Sequence, residues 1–181
     1  NSIAGPEELV TVMGNLHRKG VGGMFSNYVS QDDKNSEMMA FQLHQGGLGM
    51  SNRDYYFNTD ERTLKVKAAY KQYMLKTFKQ IDSANAQKNA DDVFALETKL
   101  AKASRKLADL RDPYKNYNKM SWVGLAKIAP SINWNNYARI TGVSKVDSVI
   151  VGQPEFYTTL SNEVKNTSPE VWKNYLKLRI V

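Results

Sequence analysis

Apolar side chains recur at every third or fourth position over two long stretches in the middle of the chain. The first stretch runs from about Asp60 to Ile81, and the second runs from Asp91 to Leu110. This spacing is typical of helices that bury one face. Because a short polar segment joins them, the sequence predicts an antiparallel helical hairpin that forms the core. The apolar positions are Leu64, Val66, Tyr70, Tyr73, Met74, Phe78 and Ile81, followed by Val93, Leu96, Leu100, Ala103, Leu107 and Leu110.

Helix start and stop signals predict several further helices. Pro6, followed by two glutamates, opens a helix that Gly20 ends. Ahead of the first long helix, the cap is expected at Asn58, Thr59 or Asp60. Four short helices are expected to start at Ser121, Asn133, Pro154 and Ser168, with stops at Pro130 and Gly142.

The stretch from Met24 to Gln45 follows a different period. Met39, Phe41 and Leu43 alternate with other residues, and "QDDKNS" before them is rich in turn formers, so a β-hairpin is predicted. "KVDSVIV" allows one short strand. The predicted fold is therefore mainly α: a single helical domain over residues 1–181, with long antiparallel helices, several short helices and a small β-hairpin.

The glycine-rich stretch "QGGLGMSN" raises the question of a phosphate-binding loop. Gly46, Gly47 and Gly49 do not complete G-x-G-x-x-G, and no Gly-Lys-Ser/Thr sequence follows. A turn that ends the second strand of the hairpin is the favoured interpretation. A nucleotide enzyme that uses this stretch stays the least supported alternative.

Composition excludes several kinds of site. The chain has no cysteine, so disulfides and thiolate metal ligands are excluded. The net charge is +7, but the lysines lie at helical spacing among carboxylates, as on a solvated helix face, so no nucleic-acid partner is expected. No apolar run has the length of a membrane helix.

The residues carry no recognisable catalytic set. His17 and His44 have no metal-ligand spacing, and G-x-S-x-G and H-E-x-x-H are both absent. The pairs Arg53-Asp54 and Arg111-Asp112 are interpreted as ion pairs or caps. We therefore predict no catalytic, cofactor-binding or metal-binding residue, and no tight zinc binding by this chain.

Both ends of the chain suggest a longer protein. There is no initiator methionine before Asn1, and the final segment "VWKNYLKLRIV" has no glycine or proline stop. We expect the last helix to continue and to leave apolar surface partly bare or covered by another copy. The residues concerned are Val171, Trp172, Tyr175, Leu178 and Ile180.

Several segments then occur in a recognisable order. "QDDKNSEMMAFQLHQGGLGMSNRDYY" is followed by "VFALETKLAKAS", "RDPYKNYNKMSWVGL", "INWNNY" and "VIVGQPEFYTTL". Together they resemble the N-terminal region of the neprilysin and endothelin-converting-enzyme family of zinc metallopeptidases. Met50 and Ser51 depart from the family's usual Leu-Pro. The matching positions are Asp33, Lys34, Asn35, Gln45, Gly46, Gly47, Leu48, Gly49, Arg53, Asp54, Tyr55 and Tyr56, and later Arg111, Tyr117, Asn118 and Met120.

The resemblance implies a non-catalytic part of an exported, bacterial zinc metalloendopeptidase. In that family a helical domain caps the zinc domain and encloses a cavity that restricts substrates to peptides. Zinc and the H-E-x-x-H helix are then expected in a catalytic domain C-terminal to residue 181. The implied partners are that catalytic domain and peptide substrates, with a membrane or lipid anchor possible upstream. The implied location is periplasmic, cell-surface or secreted.

An independent helical module that binds a protein or peptide, without enzymatic activity, is the alternative. The complete gene distinguishes the two hypotheses. An H-E-x-x-H sequence some hundreds of residues downstream supports the peptidase, whereas a stop codon soon after Val181 supports the module.

Overall fold

The computed structural model describes residues 3–180; Asn1, Ser2 and Val181, at the two ends of the chain, lie outside the described residues. Within this range the chain is mainly helical and contains a small sheet, which confirms the predicted fold class. Two short 3₁₀ turns, Ser83–Asn85 and Asp109–Arg111, follow the two long helices. The elements are α1 Pro6–Arg18, β1 Phe25–Asp32, β2 Asn35–Gln45, α2 Asp54–Phe57, α3 Glu61–Ile81, α4 Ala86–Ala103, β3 Asn118–Ser121, α5 Trp122–Ile128, α6 Trp134–Thr141, β4 Ser148–Val151, α7 Pro154–Asn166 and α8 Pro169–Ile180.

The two long helices pack side by side as predicted. Tyr70 of α3 reaches Glu97 of α4, while Leu75 and Ala90, which come later in α3 and earlier in α4, line one small cleft. The helices are therefore antiparallel. Leu100 is completely buried in the core that they share with α7 and α8.

The predicted end of the second long helix is wrong. Helix α4 stops at Ala103, because Ser104 adopts an extended backbone conformation with ψ of 143°. Beyond this point Leu107 is 50% exposed, although it continues the apolar spacing. The chain leaves the helix because the backbone of Arg105 binds the side-chain amide of Gln45 instead.

The apolar face predicted for α3 is also only partly right. Met74 and Phe78 are buried, but Leu64, Val66, Tyr73 and Ile81 are exposed. The neighbouring elements cover only one side of α3, and the buried positions on that side include Thr63 and Thr77, which are polar. None of the helices in residues 3–180 is long and apolar enough to cross a membrane.

The predicted hairpin is part of a four-stranded sheet in the order β1-β2-β4-β3. Strand β2 pairs antiparallel with β1 and parallel with β4, and β3 pairs antiparallel with β4. The sequence did not predict β3. The predicted alternation fails as well, because Ala40 and Gln42 are buried together with Phe41 and Leu43, whereas Met39 is exposed. A central strand is covered on both faces and loses the period of two.

The predicted local signals operate where expected. Asp60 caps α3 by accepting the N–H of Thr63 at 3.0 Å. Ser121 and Asn133 cap α5 and α6 in the same way, at 3.1 Å and 3.0 Å. Gly142 ends α6 with a φ of +80°, a conformation that glycine adopts without strain.

The prediction of bare apolar surface on the last helix is wrong for most of its residues. Trp172, Tyr175 and Leu178 are buried, and the rings of Trp172 and Tyr175 pack edge to face. Helix α8 lies against α4 and α1 and contacts the glycine-rich stretch, so its apolar side chains find partners within the chain. Ile180 remains exposed.

Candidate functional site

The glycine-rich stretch forms a tight loop between β2 and α2. Gly47 has a φ of +77°, in the left-handed region that favours glycine. A Cβ atom at this position would lie 2.6 Å from the carbonyl oxygen of Met24 and 2.7 Å from the hydroxyl of Tyr175. Both the backbone conformation and the lack of space therefore require glycine at this position.

Two side chains of α8 bind the carbonyl oxygens of this loop. Tyr175 Oη donates to the oxygen of Gly47 at 2.8 Å. Arg179 donates from one guanidinium nitrogen to Gly47 and from another to the oxygen of Leu48 at 3.1 Å. The loop is therefore fixed by hydroxyl and guanidinium donors near the end of the described chain.

The N–H groups of the same loop are also partly occupied. Those of Gly49 and Met50 donate to Tyr56 Oη at 3.1 Å and 3.3 Å. A phosphate-binding loop needs free N–H groups that point at the anion. In this loop two carbonyl oxygens face the guanidinium of Arg179, and two N–H groups face the hydroxyl of Tyr56. The geometry therefore favours a structural turn over a nucleotide-binding loop.

Glu97 of α4 lies at the centre of these contacts and is completely buried. Its carboxylate accepts hydrogen bonds from Tyr56 at 2.8 Å and from Tyr70 at 2.9 Å. Arg179 Nη2 forms a salt bridge with the carboxylate at 2.8 Å. We call Glu97, Arg179, Tyr56, Tyr70 and Tyr175 the Glu97 cluster; it joins α2, α3, α4, α8 and the glycine-rich loop.

Burial sets the protonation states in the Glu97 cluster. It raises the pKa of Glu97 above its usual range, while Arg179 and the two tyrosine hydroxyls oppose that rise. Burial, together with the charge of Glu97, raises the pKa values of Tyr56 and Tyr70 far above that of a free phenol. The tyrosines therefore remain protonated and act as hydrogen-bond donors, which is a structural role.

A cavity of about 340 Å³ opens beside the glycine-rich loop. Arg53 contributes to its wall, with its Nε bonded to the carbonyl of Ala101 at 3.2 Å and its guanidinium over the ring of Phe57. Arg105 is held by an ion pair with Glu155. Within the described part of the chain, the lining contains neither a histidine nor a carboxylate that could act as a base. The lining consists of Ser26, residues 45–53, Ser104, Arg105, Leu107 and Leu110.

The two Arg-Asp pairs do not form the pairs that the sequence suggests. Arg53 bonds Ala101 and not Asp54, so the ion-pair interpretation is wrong at this position. Asp112 does act as a turn cap, since its carboxylate accepts the N–H groups of Tyr114 and Lys115 at 3.0 Å and 3.1 Å.

The histidines have separate structural partners. His17 Nδ1 lies 2.8 Å from the hydroxyl of Tyr137, and burial lowers the pKa of His17 from 6.5 to about 4. His44 stacks on Tyr28, with Nε2 3.0 Å from its hydroxyl. Within residues 3–180, no group of three His, Asp or Glu side chains is placed to hold a metal ion. The donor set of this part of the chain therefore does not fit a zinc site.

A second buried carboxylate stabilises the end of the hairpin. Asp32, which is 1% exposed, accepts from Lys119 Nζ at 2.7 Å, Tyr117 Oη at 2.8 Å and the N–H of Lys34 at 2.9 Å. These bonds lower the pKa of Asp32 from 3.8 to about 2, with Lys119 as the first cause. Tyr117 and Lys34, which belong to the quoted motifs, thus meet at the tip of the sheet.

The sequence reasoning missed the most important polar residues of the core. Glu97 lies within the apolar spacing of α4, four residues after Val93 and three before Leu100. A carboxylate on a buried helix face requires a partner, and this signal could have identified it. Nothing in the sequence pattern indicates that the partner is Arg179, 82 residues further along the chain.

Comparisons with known proteins agree with this fold. The chain resembles the structure of a zinc metalloprotease, Zmp1 of Mycobacterium tuberculosis in complex with an inhibitor, with a TM-score of 0.92 and 30% identity. The match covers 99% of this chain and 28% of that one. PepO from Lactobacillus rhamnosis, at 16% identity and a TM-score of 0.72, shares the fold.

The sequence comparisons identify the family. The model of the N-terminal region of peptidase family M13 matches residues 2–181, and the chain belongs to this family. Endothelin-converting enzyme 1 of Mus musculus is 30% identical over 164 residues, covering 87% of this chain and 21% of that protein. An endothelin-converting enzyme homolog of Locusta migratoria is 34% identical over 158 residues, covering 83% and 22%. The chain thus spans about a fifth of the length of these relatives.

Proposed function

We propose that this chain is the non-catalytic N-terminal part of an exported zinc metalloendopeptidase, where it covers the active-site cavity and restricts substrates to peptides. One observation carries the proposal: the family match extends over residues 2–181 but includes only about a fifth of the matched enzymes. The residues responsible for catalysis are therefore proposed to lie outside this chain.

The chemistry of the described residues supports this division of roles. Glu97 is held by three donors, His17 and His44 have tyrosine partners, and the cavity beside the loop is lined by arginines and by neutral side chains. A zinc ion in the complete enzyme would supply a Lewis acid for peptide hydrolysis. It would be held by residues beyond this chain, because the donors present here do not fit a zinc site.

The Glu97 cluster fits best a structural role, in which it holds this part of the proposed cavity cover rigid. The cluster fixes α8 to α4 and to the glycine-rich loop through bonds that are all buried or half-buried. Helix α8 is the last described element, so the same contacts would orient whatever follows it. An extracytoplasmic location and a bacterial source remain part of the proposal.

The test uses the complete protein and one cleavable sequence in two settings. The sequence is offered as a free peptide of about ten residues and as a loop inserted into a compact folded carrier. We expect zinc-dependent cleavage of the free peptide only, because a covered cavity excludes the carrier. Equal cleavage of both substrates would contradict a covered cavity. A complete protein without any zinc-dependent peptidase activity would instead favour the independent binding module.

A further inference from the structure

Strand β1 lies at one edge of the four-stranded sheet. Its eight residues, Phe25–Asp32, pair with β2 on one side. On the other side, none of the backbone groups in residues 3–180 pairs with it. An unpaired strand edge offers a row of N–H and C=O groups to which another strand can add.

The direction of the free groups follows from the contacts of β2. The oxygen of Leu43 accepts the N–H of Gly152, next to β4, at 2.8 Å. The N–H and C=O of one residue point to the same side of a strand, and neighbouring residues point to opposite sides. The N–H and C=O groups of Leu43 therefore point away from β1. Those of its register partner Asn27 point away from β2, towards the outer side of the sheet. Because the direction alternates from one residue to the next, the backbone groups of Val29 and Gln31 also point outward. We call the outward N–H and C=O groups of Asn27, Val29 and Gln31 the β1 edge.

Between Phe25 and Gln31 the strand lacks the features that protect exposed strands; the buried charge of Asp32 and the bulge come only at its end. Such strands usually carry lysine, proline or inward-pointing charge, or they are short or interrupted by a bulge. From Phe25 to Gln31 the sequence FSNYVSQ has no charged residue and no proline, and the bulge occurs only after Gln31. Val29 is 58% exposed, and Met39, opposite Gln31, is 63% exposed. From Phe25 to Gln31 the edge is therefore regular and uncharged, with the exposed apolar side chains of Val29 and Met39 close to it.

We infer that in the complete protein the β1 edge pairs with a β-strand from the part of the polypeptide that follows residue 181. This inference rests on the proposed function, in which a catalytic domain follows. About four fifths of each matched relative lies outside the match, so ample chain is available. An edge that met only passing peptides would be bare for part of the time. Without protective residues a bare edge aggregates, and permanent cover by the same polypeptide prevents this.

Amide hydrogen exchange of the complete protein tests whether the edge is covered. The N–H groups of Tyr28 and Ser30 point towards β2 and are hydrogen-bonded to it whether or not the outer edge is covered. They therefore serve as internal controls. We expect the N–H groups of Asn27, Val29 and Gln31 to exchange as slowly as these controls. Exchange of the three groups at the rate of an exposed loop would overturn the inference.

A matched pair of variants gives a second measurement. Val29→Pro deletes an outward N–H, a change that an open edge tolerates. Tyr28→Pro deletes an N–H that bonds β2 and should lower the melting temperature in either case. We expect Val29→Pro to lower the melting temperature of the complete protein comparably. If the melting temperature of the Val29→Pro variant equals that of the wild type, the β1 edge is open and the inference is wrong.

Photocrosslinking identifies the occupant. A benzophenone amino acid replaces Met39, whose exposed side chain stands beside the β1 edge. We expect mass spectrometry to find the crosslink to residues that follow position 181 of the same molecule. A crosslink between two copies, or one formed only with an added substrate peptide, would contradict the inference.

Peptidase activity in the same preparation separates the two hypotheses. An active zinc peptidase with a rapidly exchanging β1 edge would overturn this inference and leave the proposed function intact. A complete protein that ends soon after residue 181 and shows no peptidase activity would overturn the proposed function, and this inference with it.

Discussion

The Glu97 cluster and the β1 edge differ in where their polar groups find partners. The carboxylate of Glu97 is buried and accepts three donors from α2, α3 and α8, all within this chain. The N–H and C=O groups of Asn27, Val29 and Gln31 face outward without a backbone partner in residues 3–180. The first region is complete by itself, whereas the second has the features of a surface that another element covers. The described chain therefore combines a core whose buried polar groups are hydrogen-bonded with a strand edge that has no backbone partner in residues 3–180.

The largest effect is expected when the cation of the Glu97 cluster is removed. Arg179→Met leaves the carboxylate of Glu97 buried without its ion partner, which should lower the free energy of unfolding by about 3–5 kcal/mol. Urea unfolding measures this change. Lys177→Met, on an exposed position of the same helix, is the control and should change stability by less than about 0.5 kcal/mol.

A double variant sharpens that result. Adding Glu97→Met to Arg179→Met removes the stranded charge, so part of the lost stability should return. If Arg179→Met alone changes the unfolding free energy by less than about 1 kcal/mol, the buried carboxylate of Glu97 does not depend on Arg179 for its stability. The Glu97 cluster would then not differ from the β1 edge in the way described.

The apolar part of the same region is tested by Leu100→Ala. Leu100 is completely buried three residues after Glu97, so the substitution should cost about 2–5 kcal/mol in a chemical melt. Leu107→Ala is the matched control: it continues the same apolar spacing but is half-exposed, and it should cost less than about 0.5 kcal/mol. Equal costs at the two positions would place Leu107 in the core and contradict the observed end of α4.

The ion pair at the end of β1 should give a pH-dependent effect. The pKa of Asp32 is about 2 in the folded chain against an ordinary 3.8, so the unfolded chain binds more protons between these values. Stability from Asp32 is then fully present above about pH 4 and is lost as the pH falls towards 2. Asp32→Asn should flatten the stability curve in this window. Unchanged acid unfolding profiles would show that Lys119 and Tyr117 do not stabilise the charged form.

The smallest effect is expected beside the β1 edge itself. Met39→Lys replaces a side chain that is 63% exposed, so the free energy of unfolding of this chain should change by less than about 0.5 kcal/mol. The added charge should reduce aggregation, as measured by light scattering over a concentration series. A loss above about 2 kcal/mol would mean that Met39 is packed, and the β1 region would then resemble the Glu97 cluster.

The sequence predicted well wherever the signal is local. Asp60, Ser121 and Asn133 cap helices because each side chain reaches an N–H three residues away, a geometry that needs no distant partner. Gly142 ends α6 for the same kind of local reason. The family motifs likewise predicted the strand-ending turn at Gly47, although not the side chains that hold it.

Prediction failed where burial depends on distant elements. Tyr73 fits the apolar spacing of α3 yet is exposed, because α4 covers only one arc of that helix. The apolar side chains of the last helix were expected to be partly bare or covered by another copy, yet Trp172 and Leu178 are buried within the chain, because α4 and α1 lie against α8. Strand β3 has no apolar alternation to reveal it; it exists because β4 offers it an edge.

The sequence by itself determined the helical class, the positions of caps and turns, the absence of cysteine chemistry and, through its motifs, the family. These properties depend on residues within about one or two helical turns of each other, or on composition alone. The tertiary structure alone decided that Glu97 meets Arg179, that the hairpin belongs to a four-stranded sheet and that the outer side of β1 has no backbone partner within residues 3–180. Those outcomes depend on which elements pack together, and the pairing of groups 80 or more residues apart leaves no periodic trace in the chain.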